Sequence, residues 1–141
     1  MEREAAGIVE DSLVAIGPLT VDLGTRFYDT LFEAAPGLRP LFRGSQADHV
    51  MRFVEVLAYV VSNLRATDKI TPILRDLGRR HLGYGVSPAH YQTFKLALLK
   101  TLQMELNSKW TPDVARAWDA TIENVGRQML AGAEAAEPSA G

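Results

Sequence analysis

Three histidines and no cysteines bound the chemistry open to this 141-residue chain. Without cysteine there is no disulfide framework, zinc finger, iron–sulfur cluster, cysteine nucleophile or thiolate-ligated iron. A transition metal held here falls to imidazole nitrogen, and the candidates are His49, His81 and His90. His81 ends the run Leu74-Arg75-Asp76-Leu77-Gly78-Arg79-Arg80-His81, four residues after Leu77 and seven after Leu74. That spacing sets it on an apolar helical face. Spacing alone leaves it a metal ligand or a capping histidine, because Arg79, Arg80 and His81 in a last turn also complement a helix dipole.

His49 stands near a helix start, one turn before Phe53, where an exposed polar residue is equally at home. His90 follows Ser87-Pro88 in a first turn and reads as surface. Tyr28 lies beside the apolar face of its helix, so its hydroxyl needs a partner if buried. Phe42 precedes a polar loop and reads as a core anchor. The paired glutamates Glu2 and Glu4, or Glu134 and Glu137, sit in terminal segments as solvated charge. No G-x-S-x-G, P-loop or G-x-G-x-x-G occurs, and Gly83-x-Gly85 follows a helix rather than a strand.

The elements that must position these residues are helical nearly throughout, with no sustained alternating run that reads as a strand. The first helix covers Glu4 to Ile16 and is broken by Gly17-Pro18. Leu19 to Ala34 is the second, with Leu23, Phe27 and Leu31 on one face. Pro36 opens a short turn or helix through Leu41. A third helix runs from Gln46 or Ala47 to Leu64, and Asn63 to Lys69 forms a polar link. Ile70 to Leu82 is the fourth, with Pro72 in its first turn. Ser87-Pro88 and Thr111-Pro112 each supply an N-cap and a first-turn proline. They start helices ending near Leu106 and Leu130. The expected division is a domain over 1–132 and a flexible tail or linker start over 133–141.

A length of 141 residues suits one domain, and 47% hydrophobic with 23% charged residues suits a soluble globular one. A net charge of −2 gives no basic surplus for nucleic acid. No stretch reaches the ~18 apolar residues of a membrane span, and the N-terminus lacks a signal-peptide layout. A cytoplasmic protein with neither nucleic-acid nor membrane partner is expected.

In order along the chain stand Phe27-Tyr28-x-x-Leu31-Phe32 and Pro36-x-Leu38-Arg39-Pro40-Leu41-Phe42. Leu77-Gly78-Arg79-Arg80-His81-x-x-Tyr84-Gly85-Val86 comes next, then Pro88-Ala89-His90-Tyr91, and later Ala117-Trp118. From about residue 20 to 130, this set resembles the single-domain bacterial globins and the globin domain of flavohaemoglobins. Each motif alone is weak; together and in this order they are specific.

The resemblance implies an all-α globin fold of six to seven helices enclosing a b-type haem. His81 would be the proximal iron ligand, Phe42 would pack on the porphyrin, and Tyr28 would hydrogen-bond a bound gas. Counting back from His81 sets His49 at the distal position, as a ligand-stabilising residue or a sixth iron ligand. Phe53 would wall the distal pocket, and Arg52 would reach a propionate or the pocket mouth. Leu77, Arg80, Val86 and Tyr91 complete the implied haem contacts.

Two departures accompany it. The proximal glutamate of flavohaemoglobins falls on Ala133, with Glu134 one residue on. His49 stands where the bacterial relatives often carry glutamine. The implied function is binding of O2, NO or CO, with NO dioxygenase activity given an external reductase. A gas-sensor module cut from a longer signalling protein is the alternative. Diatomic gases and a reductase are the expected partners, and the protein is expected as a monomer or homodimer.

Overall fold

The computed structural model describes residues 5–16, 21–42, 44–83 and 88–136, without the side chains of 67, 81–83, 88, 135 and 136. Six α-helices carry the fold: α1 (Ala5–Ile16), α2 (Val21–Ala34), α3 (Gln46–Ser62), α4 (Thr67–Gly83), α5 (Pro88–Leu106) and α6 (Pro112–Ala136). Short 3₁₀ helices span Pro36–Leu41 and Asn107–Lys109. No strand occurs among the described residues. None of the described helices is long and apolar enough to cross a membrane.

The expected α2 stripe is buried. Leu23, Phe27 and Leu31 face the core, and Tyr28 and Phe32, one residue on, widen that face. Gly24 lets α2 approach α3, since a Cβ there would meet the Val50 and Val54 methyls at 2.9 Å. Proline opens the helix at Pro36, where its missing N–H costs nothing. Thr111 caps α6 by accepting a hydrogen bond from the Val114 N–H at 3.2 Å.

Trp118 on α6 is fully buried, at 0% exposure. Its indole N–H donates to the Ser12 hydroxyl at 2.8 Å, which donates in turn to the Val9 carbonyl at 2.7 Å. Each polar atom in this α1–α6 joint therefore has a partner.

A second cluster, Val60, Ile70, Leu74 and Met129, closes the joint between the end of α3 and the start of α4. Val56, Leu77 and Tyr91 pack against it. The backbone of α4 lies directly on that of α6. A Cβ at Gly78 would fall 1.7 Å from the Met129 carbonyl oxygen, and one at Gly132 would fall 1.9 Å from that of Arg75. Only glycine permits this double approach.

Two boundaries differ from expectation. α4 starts at Thr67, three residues before Ile70, so Pro72 is its sixth residue rather than part of the first turn. The Lys69 and Ile70 N–H groups already bond the Ala66 carbonyl, and Asp68 supplies a favourable first-turn charge. α6 continues to Ala136 instead of ending near Leu130. Ala131 and Ala133 to Ala136 are alanines and a glutamate, good helix formers, and Ala133 is buried. The Gly17-Pro18 break and the Ser87 cap lie outside the described residues.

Candidate functional site

Five aromatic side chains from α2, α3 and the 3₁₀ helix meet at one end of the core. Tyr28 is buried, with its ring edge-on to Phe27 at 5.1 Å, Phe42 at 5.4 Å and Phe53 at 6.0 Å. Phe53 stacks on Phe27 at 4.3 Å. Phe42 is edge-on to Phe32 at 5.3 Å and to the His49 ring at 5.6 Å. The 3₁₀ helix fixes Phe42, whose N–H donates to the Arg39 carbonyl at 3.1 Å. Such offset and edge contacts favour a rigid wall.

The polar atoms at this wall are few. The Tyr28 hydroxyl donates to the His49 main-chain oxygen at 3.4 Å, long for an O–H···O bond. Burial pushes the Tyr28 phenol up to about 12, so it stays a neutral donor at ordinary pH. A cleft of about 230 Å³ opens beside it, lined by Tyr28, Phe32, Arg39, Phe42, Gly44, Gln46 and His49. His49 is half-buried on the first turn of α3. Arg52 is exposed and does not line this cleft. Among the described residues the cation at the cleft is Arg39, whose guanidinium lies over the Phe32 ring at 4.5 Å.

A second face is built by α4 and α5. Leu77 is half-buried and packs with Tyr91 in the second cluster. Burial raises the Tyr91 phenol, and its hydroxyl has no hydrogen-bond partner among the described residues. Tyr91 lies 6.3 Å from Phe94, and Phe94 lies 6.3 Å from Phe42. An aromatic chain thus joins this face to the Tyr28 wall. His90 is half-buried against Phe94 at 6.4 Å.

Arg80 is exposed and pairs with Asp76 at 3.0 Å, and Arg79 bonds the same carboxylate. The Arg79 hydrogen bond, followed by the charges of both arginines, holds the Asp76 carboxyl below its usual range. On α6, Ala133 is buried while Glu134 is exposed, so the neighbouring glutamate does not take the buried place. His81 is on α4, one turn beyond Leu77, but its side chain lies outside the described residues, as do Tyr84 and Val86. Among the described residues no three His, Asp or Glu gather closely enough to hold a metal ion.

Tyr28, Phe42, His49 and Phe53, which the family resemblance assigns to one site, are neighbours in the structure. Residue spacing missed Arg39, Gln46 and Phe94 as neighbours of the site. Phe94 had a signal, since it follows Tyr91 by three residues and His90 by four. Arg39 had one only in its motif, between the buried Leu38 and the half-buried Leu41.

Comparison with known proteins agrees with this architecture. The Globin family model matches residues 25–129. An anaerobic nitrite reductase of Casuarina glauca is 28% identical over 138 residues, spanning 87% of this chain and 86% of its own. One of Gossypium hirsutum is 28% identical over 153 aligned positions, spanning 95% and 94%. A bacterial globin from Campylobacter jejuni superimposes with a TM-score of 0.80 at 16% identity, covering 93% of this chain and 95% of that one.

Proposed function

The chain belongs to the globin family, and from that premise we propose that it binds diatomic gases at a b-type haem. His81 would hold the iron from α4, with Tyr28 and His49 on the opposite face. The family normally binds haem, and the residues present fit one. Phe42 and Phe53 on one cluster and Leu77 on the other offer apolar contacts suited to a flat porphyrin, and among the described residues no carboxylate lines the cleft beside Tyr28. The orphaned Tyr91 hydroxyl is a buried polar atom awaiting a partner that the described protein atoms do not supply.

When bound, haem supplies an iron position at which a small gas exchanges. The residues do the rest. Tyr28 holds a neutral O–H in a water-poor wall, where a donor to a partly negative ligand is worth more than in water. Its long bond to the His49 carbonyl leaves it free to turn to a better acceptor. His49 stands at the cleft as second donor or as competitor for the iron. Phe27, Phe42 and Phe53 exclude water. The single observation that carries this reading is the buried Tyr28 hydroxyl beside Phe42 and His49. The test is optical: the protein expressed with haem available should show a Soret band, and its ferrous form should bind CO reversibly.

NO dioxygenase activity would need a reductase to return the electrons that each turnover consumes. Reduction of nitrite is the second reading. Two plant relatives are named for that activity, and a cation at a cleft without carboxylates favours an anionic substrate here. Nitrite consumption by the dithionite-reduced protein would separate the two.

A further inference from the structure

We propose that the cleft mouth at Arg39 recognises a small monovalent oxyanion, of which nitrite is the type, and that Arg39 selects it over neutral ligands. The inference rests on the haem reading for its destination, but Arg39 itself is not among the expected iron ligands.

Arg39 differs from most described arginines. Arg26, Arg65, Arg79, Arg80 and Arg116 each meet a carboxylate, from Glu105, Glu10, Asp76, Asp76 and Asp113 respectively. No such pair forms at Arg39 among the described residues. Its guanidinium carbon instead lies 4.5 Å from the Phe32 ring centroid, a contact with the ring face that uses none of its N–H donors on a carboxylate. The other polar side chains of the cleft are Gln46, His49 and Tyr28. Each carries an N–H or O–H that can donate, and none is a carboxylic acid. Among the described residues the cleft is lined by the Arg39 cation, several donors and no carboxylate, a set complementary to an anion. Its volume of about 230 Å³ admits an anion of a few atoms.

One other carboxylate-like group competes for Arg39: a haem propionate. The shared chemistry is an oxyanion on a guanidinium, and the experiment distinguishes the sources. Ferric haem-loaded protein is titrated with sodium nitrite and followed by the Soret shift, for the parent, Arg39→Gln and Arg39→Lys; CO binding to the ferrous forms is measured alongside. Arg39→Gln should lower the ratio of nitrite to CO affinity on the order of tenfold, and Arg39→Lys should recover part of it. An unchanged ratio overturns the proposal. Faster haem loss in Arg39→Gln with an unchanged ratio assigns Arg39 to the propionate and also overturns it. If no Soret band forms, the haem reading fails separately. The anion site is then read on the haem-free protein by amide NMR with nitrite. Shifts at Gln46 and His49 that vanish in Arg39→Gln support the site, and their absence overturns it.

Discussion

The Tyr28 hydroxyl reaches the main-chain oxygen of His49 at 3.4 Å, joining α2 to the first turn of α3 by a bond near the limit of useful length. A buried phenol satisfied so weakly is poised to change partner. Tyr28→Phe removes the donor and keeps the ring contacts with Phe27, Phe42 and Phe53. O2 should leave the ferrous protein roughly ten- to a hundredfold faster, the cost of one hydrogen bond to a charged acceptor, while CO release changes much less. Stopped-flow displacement measures both. Equal effects on the two gases would show that the hydroxyl is not the discriminating group.

The same phenol predicts an alkaline dependence of stability. Its folded value is raised from 10.0 to about 12 by burial. Between those values the unfolded chain gives up the proton first, so it binds fewer protons than the folded one. Stability therefore falls as pH rises from about 10 towards about 12. Tyr91, also raised by burial, adds a term of the same sign. Urea midpoints across this range should decline in the parent protein and decline less in Tyr28→Phe; parallel slopes would contradict the assignment.

His49 lines the cleft, and on the proposed reading it would act there as a donor or as a sixth iron ligand. His49→Leu should convert any six-coordinate ferrous spectrum to a five-coordinate one. Persistence of the six-coordinate bands would remove His49 as the sixth ligand.

The packing of α4 on α6 yields a stability prediction. Gly78→Ala places a methyl group 1.7 Å from the Met129 carbonyl oxygen, and the atom it meets is backbone. The helices must separate, at a cost of about 1–3 kcal/mol or more. Haem retention should weaken as well, because α4 carries His81. A urea midpoint within error of the parent would show that the two backbones are not in contact at Gly78.

Sequence periodicity made much of this architecture legible. Leu23, Phe27 and Leu31 announced the buried face of α2, and Thr111-Pro112 announced the start of α6. Those signals are local, so tertiary context had little to override. Gly78 and Gly132 were not legible as a helix crossing. A glycine inside a helix carries no mark of the backbone it touches, and α4 and α6 meet only in three dimensions. The same small-residue composition hid the end of α6. At the site, Tyr28, Phe42, His49 and Phe53 were grouped by the family resemblance, since their own spacing left each of them a bland alternative. The cation at the cleft was not. Arg52, expected to reach a propionate or the pocket mouth, is exposed and does not line this cleft, whereas Arg39 does, set over Phe32 by the 3₁₀ helix. A turn of that kind has no periodicity from which to read direction.

Haem retention in His81→Ala tests the central claim most directly. Parent and variant, loaded with haem, are mixed with excess apomyoglobin and the transfer is followed at the Soret band. The account predicts a stable Soret band in the parent and its absence or rapid loss in the variant. A variant that holds haem as firmly as the parent would contradict His81 as the anchor of the iron.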